Sequence, residues 1–213
     1  MRVLVTGFEP FDGDRVNPSS EALAHLPPRL GDLTIVTWRL PTVFGQALAA
    51  LAEAVAMTKP DIVLCVGLAG GRAELSLERV AINVDDARIP DNDGNRPIDR
   101  PIVAAGPPAY FSGLPIKAAV AALRRAGLPA AVSNSAGTFV CNHVFYGVMH
   151  LAATAAAPFR GGFLHVPYLP EQAARHPGAP SMALDDIVRG IEIILATAAE
   201  RVGDIAAAEG AIS

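Results

Sequence analysis

The sequence predicts an α/β fold: a single three-layer α/β/α domain over residues 1–213, with a mostly parallel, twisted sheet. Short β-rich runs alternate with longer helical patterns along the chain, which is the order typical of parallel sheets. A chain of 213 residues favours one domain, and 51% hydrophobic residues are enough to fill one sizeable core. Right-handed crossovers should place helices on both faces and the functional site at the carboxyl edge of the sheet.

Each predicted strand is a short apolar or β-branched run, and each predicted helix is a longer pattern with helical spacing. The strands lie near residues 3–6, 33–39, 62–67, 80–84, 131–134 and 162–166. The helices span residues 18–26, 43–57, 114–126, 142–157 and 184–202. The first helix has the clearest start, because Asn17 is a favoured N-cap and Pro18 suits the first helical position.

Residues 88–115 are predicted to form a long irregular segment, because they include six prolines and several Asp, Asn and Gly residues. Such segments in compact domains are often lids, binding loops or subunit contacts. The stretch DNDGN at 91–95 suggests a calcium loop, but Arg96 stands where an EF-hand needs glycine and Ile102 where it needs glutamate. A tight turn is therefore predicted there. The Gly- and Ala-rich residues 206–213 are expected to fray.

Charge and hydropathy exclude several classes of partner. The net charge is −4 and the basic residues do not cluster, so no nucleic-acid partner is expected. No apolar window of about 18 residues is free of charges, so no membrane association is expected. Gly7, Glu9 and Pro10 interrupt the apolar N-terminus, which is interpreted as a strand rather than a signal peptide. With two cysteines and no export signal, the expected location is the reducing cytoplasm.

Cys141 and His165 are the candidate nucleophile and base. Cys141 follows a Gly-Thr turn and opens a predicted helix, where free N–H groups and the helix dipole are expected to lower the pKa of its thiol. His165 ends the apolar run 161–165. Cys65, in contrast, lies inside a continuous apolar strand, where a cysteine is typically an inert buried side chain.

Glu78 is the candidate third member of this set. A glutamate beside an arginine and a buried strand most often forms a surface ion pair when it is considered alone. Beside Cys141 and His165, a carboxylate can instead accept a hydrogen bond from one imidazole nitrogen and leave the other free to take the thiol proton. The three residues together favour a set of nucleophile, base and orienting acid.

Seven short segments, spread in order over the whole chain, form a more specific pattern. They are VTGFEPF at 5–11, VNPS at 16–19, GLAGGR at 67–72, ERVAIN at 78–83, ARIPDN at 87–92, AGTFVCN at 136–142 and HVPYLP at 165–170. With these segments the chain resembles the pyroglutamyl-peptidase I (pyrrolidone-carboxylate peptidase) family of cysteine peptidases. Several such blocks in order are far more specific than any single one.

The resemblance implies hydrolysis of the peptide bond after an N-terminal pyroglutamyl residue, through a thioester on Cys141, with His165 and Glu78 completing the triad. It implies no metal or other cofactor. The backbone N–H of Cys141 is the natural first oxyanion donor, and Arg88 is a candidate second donor by resemblance. The implied partners are peptides or proteins with an N-terminal pyroglutamate. The implied assembly is a cytoplasmic homo-oligomer, commonly a tetramer.

The family places a ring pocket around Phe8, Phe11, Asn17, Phe139 and Val140. An apolar, aromatic pocket suits a neutral lactam and disfavours open glutamate or glutamine, whose charged amine would be buried unpaired. Leu68 is a departure, because family members often have glutamine at this place in the segment Gly-Gln-Ala-Gly-Gly-Arg. Leu68 is therefore counted with the substrate-binding residues, and we expect it to alter substrate affinity without abolishing activity.

Two other functions remain open at this point. A nucleoside phosphorylase-like enzyme could share the layer architecture and use Gly67, Gly70 and Gly71 to cradle phosphate. It would have no need of a nucleophilic cysteine. An inactive relative, suggested by Leu68, would bind a pyroglutamyl ligand without turnover.

A zinc site formed by Cys141, His143 and His165 is a further alternative. It is disfavoured, because the neighbouring residues lack the paired spacing of structural zinc ligands. For His143, a structural role is favoured over direct assistance to Cys141.

Overall fold

The computed structural model describes residues 1–210, in which strands and helices alternate nearly as the sequence predicts. The strands are β1 (Arg2–Phe8), β2 (Arg29–Leu30), β3 (Leu33–Leu40), β4 (Ile62–Leu68), β5 (Leu75–Glu78), β6 (Val80–Ile82), β7 (Ala109–Phe111), β8 (Ala130–Ser133) and β9 (Arg160–Val166). The helices are α1 (Pro18–His25), α2 (Gln46–Thr58), α3 (Ile116–Arg125), α4 (Val140–Thr154), α5 (Pro170–Ala173) and α6 (Leu184–Glu200). None of these helices has both the length and the apolarity needed to cross a membrane.

Seven strands form one sheet in the order β2-β3-β1-β4-β9-β5-β8. Its centre is parallel, since β1 pairs in parallel with β3 and β4, and β4 with β9. β5 is antiparallel to β9, β8 is parallel to β5, and β2 is antiparallel to β3. The mostly parallel sheet is thus confirmed. The carboxyl ends of β1, β4 and β9 meet at one edge, which brings Phe8, Leu68 and His165 to the same side of the protein.

Side chains alternate between the two faces of the sheet, and helices cover each face. In β4, Ile62, Leu64 and Val66 belong to the core shared with α1, α3 and α6, whereas Val63 and Cys65 belong to the core shared with α2 and α4. All five side chains are fully buried. Burial of each aliphatic one contributes about 1.5–3 kcal/mol. The three predicted layers are present, and Cys65 is a core residue as predicted.

The start of α1 confirms the predicted cap. The Oδ1 of Asn17 accepts a hydrogen bond from the N–H of Ser19 at 3.1 Å, and Pro18 is the first helical residue. α1 lies so close to β1 that a Cβ on Gly7 would come within 2.8 Å of the Ser19 carbonyl group. Glycine at this position therefore allows α1 to pack beside Phe8, whose N–H donates to the Ser19 hydroxyl at 2.9 Å.

The strand predicted over residues 80–84 is wrong in extent and in partner. The strand of the main sheet is β5, while β6 pairs with β7 in a separate two-stranded sheet. The break between β5 and β6 falls at Arg79, whose N–H donates to the Ser133 carbonyl oxygen at 2.8 Å. Ser76 and Glu78 are both buried, but they are polar and interrupt the apolar run of β5. The hydrophobic pattern therefore does not predict this strand.

Residues 88–115 are largely irregular, as predicted, but they also contain β7 and lead into α3 at Ile116. The predicted tight turn is present. The Asp91 carboxylate accepts hydrogen bonds from the N–H groups of Asp93 at 3.0 Å and Asn95 at 2.8 Å. The same carboxylate accepts from the N–H of Phe44 at 2.9 Å, which ties the turn to the residues before α2.

Within residues 206–210, which the sequence predicts to fray, two arginines elsewhere in the chain bind Glu209. Arg124 pairs with the Glu209 carboxylate at 2.6 Å, and Arg79 donates to the Glu209 carbonyl oxygen at 2.6 Å. Residues 211–213, which that prediction also covers, lie outside the described residues.

Asp204, just before this segment, caps α3. Its carboxylate accepts hydrogen bonds from the N–H groups of Lys117 at 3.0 Å and Ala118 at 2.9 Å. We expect Asp204→Ala to lower the free energy of unfolding in urea by about 1 kcal/mol, because these helical N–H groups lose their acceptor. Asp32→Ala is the control, at an exposed aspartate, and should change it by less than about 0.5 kcal/mol. Equal effects at both positions would contradict the cap.

Candidate active site

The antiparallel pairing of β5 with β9 brings Glu78 to His165. Ser76 lies opposite His165 and Leu77 opposite Leu164, so Glu78 is the diagonal neighbour of His165 on the same face of the sheet. The Nδ1 of His165 hydrogen-bonds the Oε1 of Glu78 at 2.7 Å. Glu78 is 0% and His165 is 4% exposed. The sequence around Glu78, taken by itself, is typical of a surface ion pair. In the structure the Glu78 side chain is instead buried beside His165.

Arg72 joins the cluster formed by Glu78 and His165, and the sequence does not predict this contact. Its Nη1 donates to the same Oε1 of Glu78 at 2.7 Å, and its Nη2 donates to the Ser135 carbonyl oxygen at 3.3 Å. The Arg72 side chain is 31% exposed, so this ion pair reaches from the buried carboxylate towards solvent. The signal in the sequence is the position of Arg72 at the end of GLAGGR, which does not reveal a contact with Glu78.

The charges of this cluster follow from burial and from its partners. Burial raises the pKa of Glu78, but the hydrogen bond and charge of His165 and the charge of Arg72 outweigh it and leave that pKa lowered. Burial lowers the pKa of His165, and the contact with Glu78 opposes this only in part. Glu78 is therefore ionised and His165 neutral at neutral pH. An imidazole that donates Nδ1–H to a carboxylate has its Nε2 lone pair free to accept a proton.

Cys141 is the second residue of α4, and its thiol lies against β4. A Cβ on Gly67 would come within 2.9 Å of the Cys141 Sγ and of the Phe163 ring. Gly67 is the partner of His165 in the parallel register of β4 with β9. The Phe163 ring also packs on the imidazole, with centroids 4.9 Å apart. The lack of a side chain at position 67 therefore leaves space for the Cys141 thiol next to the strand position of His165.

The start of α4 does not lower the pKa of Cys141, so this sequence-based expectation is wrong. Burial and the charge of Glu78 raise the pKa of the thiol to about 12, and Arg72 opposes them only in part. The thiol is therefore protonated in the free protein, and its attack requires transfer of the proton to a base.

A narrow cleft with a cavity volume of about 10 Å³, room for about one water molecule, lies beside the thiol. Its walls contain every residue that the resemblance assigns to substrate, together with Thr42. The lining residues are Phe8, Phe11, Asn17, Thr42, Leu68, Phe139, Val140 and Cys141. Thr42 is buried, and its hydroxyl donates to the Glu9 carbonyl oxygen at 2.9 Å. No motif in the sequence marks Thr42, because it reaches the cleft only through the folding of the loop after β3.

Two lining residues have chemistry that limits what they can offer a ligand. The Asn17 Oδ1 accepts from the N–H and the hydroxyl of Ser19, and its Nδ2 donates to the Glu9 carbonyl oxygen at 3.1 Å. Leu68, the last residue of β4, is half-buried and has no polar group to offer. The lining side chains thus supply mainly shape and apolar contact, so backbone groups are the main hydrogen-bonding partners for a ligand.

The two candidate oxyanion donors lie in different places. The first helical hydrogen bond of α4 runs from the N–H of His143 to the Phe139 carbonyl oxygen at 3.1 Å. The N–H of Cys141, in the first turn of α4, has no acceptor within residues 1–210. Arg88 is exposed and lines a separate surface cavity with Thr138. It is not among the residues that line the cleft.

His143 is engaged outside the cleft. Its Nδ1 hydrogen-bonds both carboxylate oxygens of Asp85, at 2.9 and 3.0 Å, and its Nε2 accepts from the N–H of Gly45 at 3.0 Å. With both ring nitrogens occupied, His143 does not join Cys141 and His165 in a zinc site. In the part of the chain that the structure describes, no three His, Cys, Asp or Glu side chains are grouped to hold a metal ion.

Asn142 fixes the start of α4 and has no assigned role in the sequence pattern. Its Oδ1 accepts from the N–H of Ile82 at 3.0 Å, and its Nδ2 donates to the carbonyl oxygens of Ile82 and Val84 at 2.9 and 3.0 Å. The side chain is fully buried. Because Asn142 is adjacent to Cys141, this set of hydrogen bonds holds the backbone at the start of α4 against β6.

Comparison with known proteins decides the family. The family model described as pyroglutamyl peptidase matches residues 1–201. The chain belongs to the pyroglutamyl peptidase family. A pyrrolidone-carboxylate peptidase of Cupriavidus taiwanensis is 59% identical over 205 residues, which cover 95% of each chain. One of Escherichia fergusonii is 55% identical over 98% of each chain. The crystal structure of pyroglutamyl peptidase I from Bacillus amyloliquefaciens aligns with a TM-score of 0.93 and 50% identity, covering 96% of this chain and 99% of its own.

Membership of the pyroglutamyl peptidase family confirms the resemblance found in the seven segments. It favours a cysteine-type hydrolase over a phosphorylase-like enzyme, and two of the glycines considered for phosphate have steric roles instead. Gly67 accommodates the Cys141 thiol, and a Cβ on Gly70 would clash with the Tyr168 hydroxyl.

We expect Gly67→Ala to lower kcat/KM for a chromogenic pyroglutamyl amide by about 100-fold or more, because the added Cβ would displace the Cys141 thiol. Gly203→Ala is the matched control. A Cβ at position 203 meets nothing within 4 Å, so this variant should keep the wild-type rate. Wild-type kcat/KM in Gly67→Ala would show that the thiol does not depend on the space against β4.

Proposed function

We propose that the chain is a cysteine-type peptidase that removes an N-terminal pyroglutamyl residue from peptides or proteins and releases free pyroglutamate (5-oxoproline). The observation that carries this proposal is the 2.7 Å hydrogen bond between Glu78 and His165, on the strand next to the thiol of Cys141 at an aromatic cleft. The names of the relatives, pyrrolidone-carboxylate peptidase and pyroglutamyl peptidase I, support the same substrate class.

In the acylation step, the Sγ of Cys141 attacks the pyroglutamyl carbonyl carbon while the Nε2 of His165 takes the thiol proton. The carbonyl oxygen becomes an oxyanion, for which the free N–H of Cys141 is the proposed donor. Collapse of the tetrahedral intermediate breaks the peptide C–N bond, and His165 gives its proton to the leaving amine. The enzyme now holds a pyroglutamyl thioester on Cys141.

Water completes the cycle. The neutral His165 takes a proton from a water molecule, whose oxygen attacks the thioester carbonyl carbon. The second tetrahedral intermediate expels the Cys141 sulfur, which regains its proton from His165, and pyroglutamate leaves as the free acid. Glu78 stays ionised and holds the imidazole through its Nδ1–H, so every transferred proton passes through Nε2. The proposed steps require no cofactor.

The cleft is suited to a small neutral ring. Phe11 and Phe139 lie with ring centroids 6.2 Å apart, and Phe8 adds a third aromatic wall. Phe11 and Leu68 are half-buried, so these are the walls that can move apart to admit the ring. Because leucine offers no hydrogen bond where family members often have glutamine, the proposed effect of Leu68 is a higher KM with turnover preserved.

The finer features of the enzyme are proposed from the family resemblance. Arg88 stays a candidate second oxyanion donor, although its position outside the cleft lining does not favour this role. The proposed assembly is a homo-oligomer, a tetramer by resemblance, and the proposed location is the cytoplasm. The two cysteines are free thiols, which suits a reducing compartment. Neither nucleic acid nor membrane is a proposed partner.

Release of a chromophore from a pyroglutamyl amide tests the proposed reaction. We expect Cys141→Ala to lower kcat by about 10⁴-fold or more, because the thioester can no longer form. Cys65→Ala removes the other thiol, from the core, and is the matched control that should stay within about threefold of wild type. A wild-type protein that binds a pyroglutamyl peptide without releasing product would be the inactive relative. Full activity in Cys141→Ala would refute the peptidase mechanism.

The acid side of the pH profile tests the protonation state of His165. Burial lowers the pKa of His165 below its ordinary value of 6.5, and His165 must be neutral to take the thiol proton. We therefore expect kcat/KM to fall on acidification with a midpoint below 6.5, since protonation removes the base. Recovery of the full rate on return to neutral pH controls for unfolding. A midpoint above 6.5 would contradict a neutral, buried base.

A further inference from the structure

A second buried pair of histidine and carboxylate lies outside the proposed mechanism. His143 and Asp85 are 5% and 6% exposed, and the Nδ1 of His143 is 2.9 and 3.0 Å from the two carboxylate oxygens. A carboxylate only accepts hydrogen bonds, so Nδ1 carries the proton and Nε2 is an acceptor. This pair is two residues along α4 from Cys141, yet none of the catalytic steps uses it.

The acceptor nitrogen of His143 holds a backbone N–H in an unusual turn. Gly45 has φ +74° and ψ −51°, and the N–H of Gln46 donates to the Phe44 carbonyl oxygen at 2.9 Å. This geometry is a γ-turn with positive φ, which is rare and strained. The Nε2 of His143 accepts the N–H of Gly45 at 3.0 Å, and the Asp91 carboxylate accepts the N–H of Phe44 at 2.9 Å. Two buried side chains therefore hold consecutive N–H groups of the turn.

The turn presents Phe44 to the wall of the cleft. The Phe44 ring meets the Phe139 ring edge to face, with centroids 5.4 Å apart and an angle of 89°. It meets the imidazole of His143 in the same way, at 5.3 Å and 83°. Phe139 lines the cleft and lies two residues before Cys141. Because the cleft is narrow, a small shift of Phe139 would change how a ring fits.

We propose that His143 is a positioning residue for the ring pocket, and this inference rests on the proposed pyroglutamyl specificity. Through its Nε2 it holds Gly45 in the strained turn, and through that turn it fixes Phe44 behind Phe139. Asp85 acts one step further away, by fixing the tautomer of His143. The effect of His143 is on binding of the pyroglutamyl ring, and the chemistry at Cys141 is untouched.

Two polar substitutions separate this role from a general structural one. Glutamine can place its carbonyl oxygen near Nε2 and still accept the N–H of Gly45, whereas asparagine can place its amide near Nδ1 and keep only the contact with Asp85. We expect His143→Asn and His143→Leu to raise KM for a pyroglutamyl amide about tenfold, with kcat changed by less than about threefold. His143→Gln should restore most of the wild-type KM. If His143→Leu does not fold, the KM values of His143→Asn and His143→Gln still test the proposal.

His150 provides the matched control on the same helix. Its Nδ1 is 2.8 Å from the Tyr110 hydroxyl, and it neither lines the cleft nor hydrogen-bonds the turn. His150→Gln and His150→Asn should both keep the wild-type KM. Equal KM values for His143→Gln and His143→Asn, or a loss confined to kcat, would overturn the proposal.

A binding measurement keeps this test independent of turnover. In a Cys141→Ala background, the dissociation constant of a pyroglutamyl dipeptide is measured by calorimetry for each His143 variant. The dissociation constants should follow the same order as KM, with His143→Asn weaker than His143→Gln. If the wild-type protein binds the pyroglutamyl dipeptide tightly without releasing product, the proposed reaction is refuted. The dissociation constants of the His143 variants would then still decide whether His143 positions the ring pocket. Unchanged dissociation constants in every His143 variant, or no binding at all, would refute the role of His143.

Discussion

The negative charge of Glu78 is buried under the site, and the geometry of the site depends on how that charge is compensated. Its Oε1 accepts hydrogen bonds from both Arg72 and His165 at 2.7 Å. Its Oε2 is buried and has no hydrogen-bond partner within residues 1–210, since the nearby Ser133 hydroxyl donates to the Ser135 carbonyl oxygen. Removal of one partner from a buried ion pair typically costs about 3–5 kcal/mol. Arg72 supplies the positive charge, so His165 can stay neutral, as its proposed role as the base requires.

The two cysteines differ in position rather than in acidity. Burial raises the pKa of both Cys65 and Cys141 to about 12. Cys65 lies in the middle of β4 inside the core, whereas Cys141 lies at the cleft, against Gly67. In the proposed mechanism, the reactivity of Cys141 depends on a neutral base and on a substrate in the cleft, and a preformed thiolate is not required. A protonated thiol is also less prone to unwanted oxidation than a thiolate.

The sequence predicts the layers and the three triad positions, because strand alternation and the seven segments are local patterns. It does not predict the contact of Arg72 with Glu78, since this requires the antiparallel insertion of β5, whose Ser76 and Glu78 conceal the strand. It also misses the raised pKa of Cys141, because burial and the charge of Glu78 come from distant parts of the chain. The C-terminal composition suggests fraying, yet Arg79, between β5 and β6, and Arg124 of α3 bind Glu209.

The thioester on Cys141 is the intermediate on which this mechanism depends, and mass spectrometry of the quenched enzyme tests it most directly. The enzyme is mixed with an activated pyroglutamyl ester, so that acylation is fast, quenched in acid within the first turnover and digested. We predict one pyroglutamyl group on the peptide that contains Cys141 and none on the peptide that contains Cys65. Release of pyroglutamate without any adduct on Cys141, or with the adduct on another residue, would contradict the mechanism.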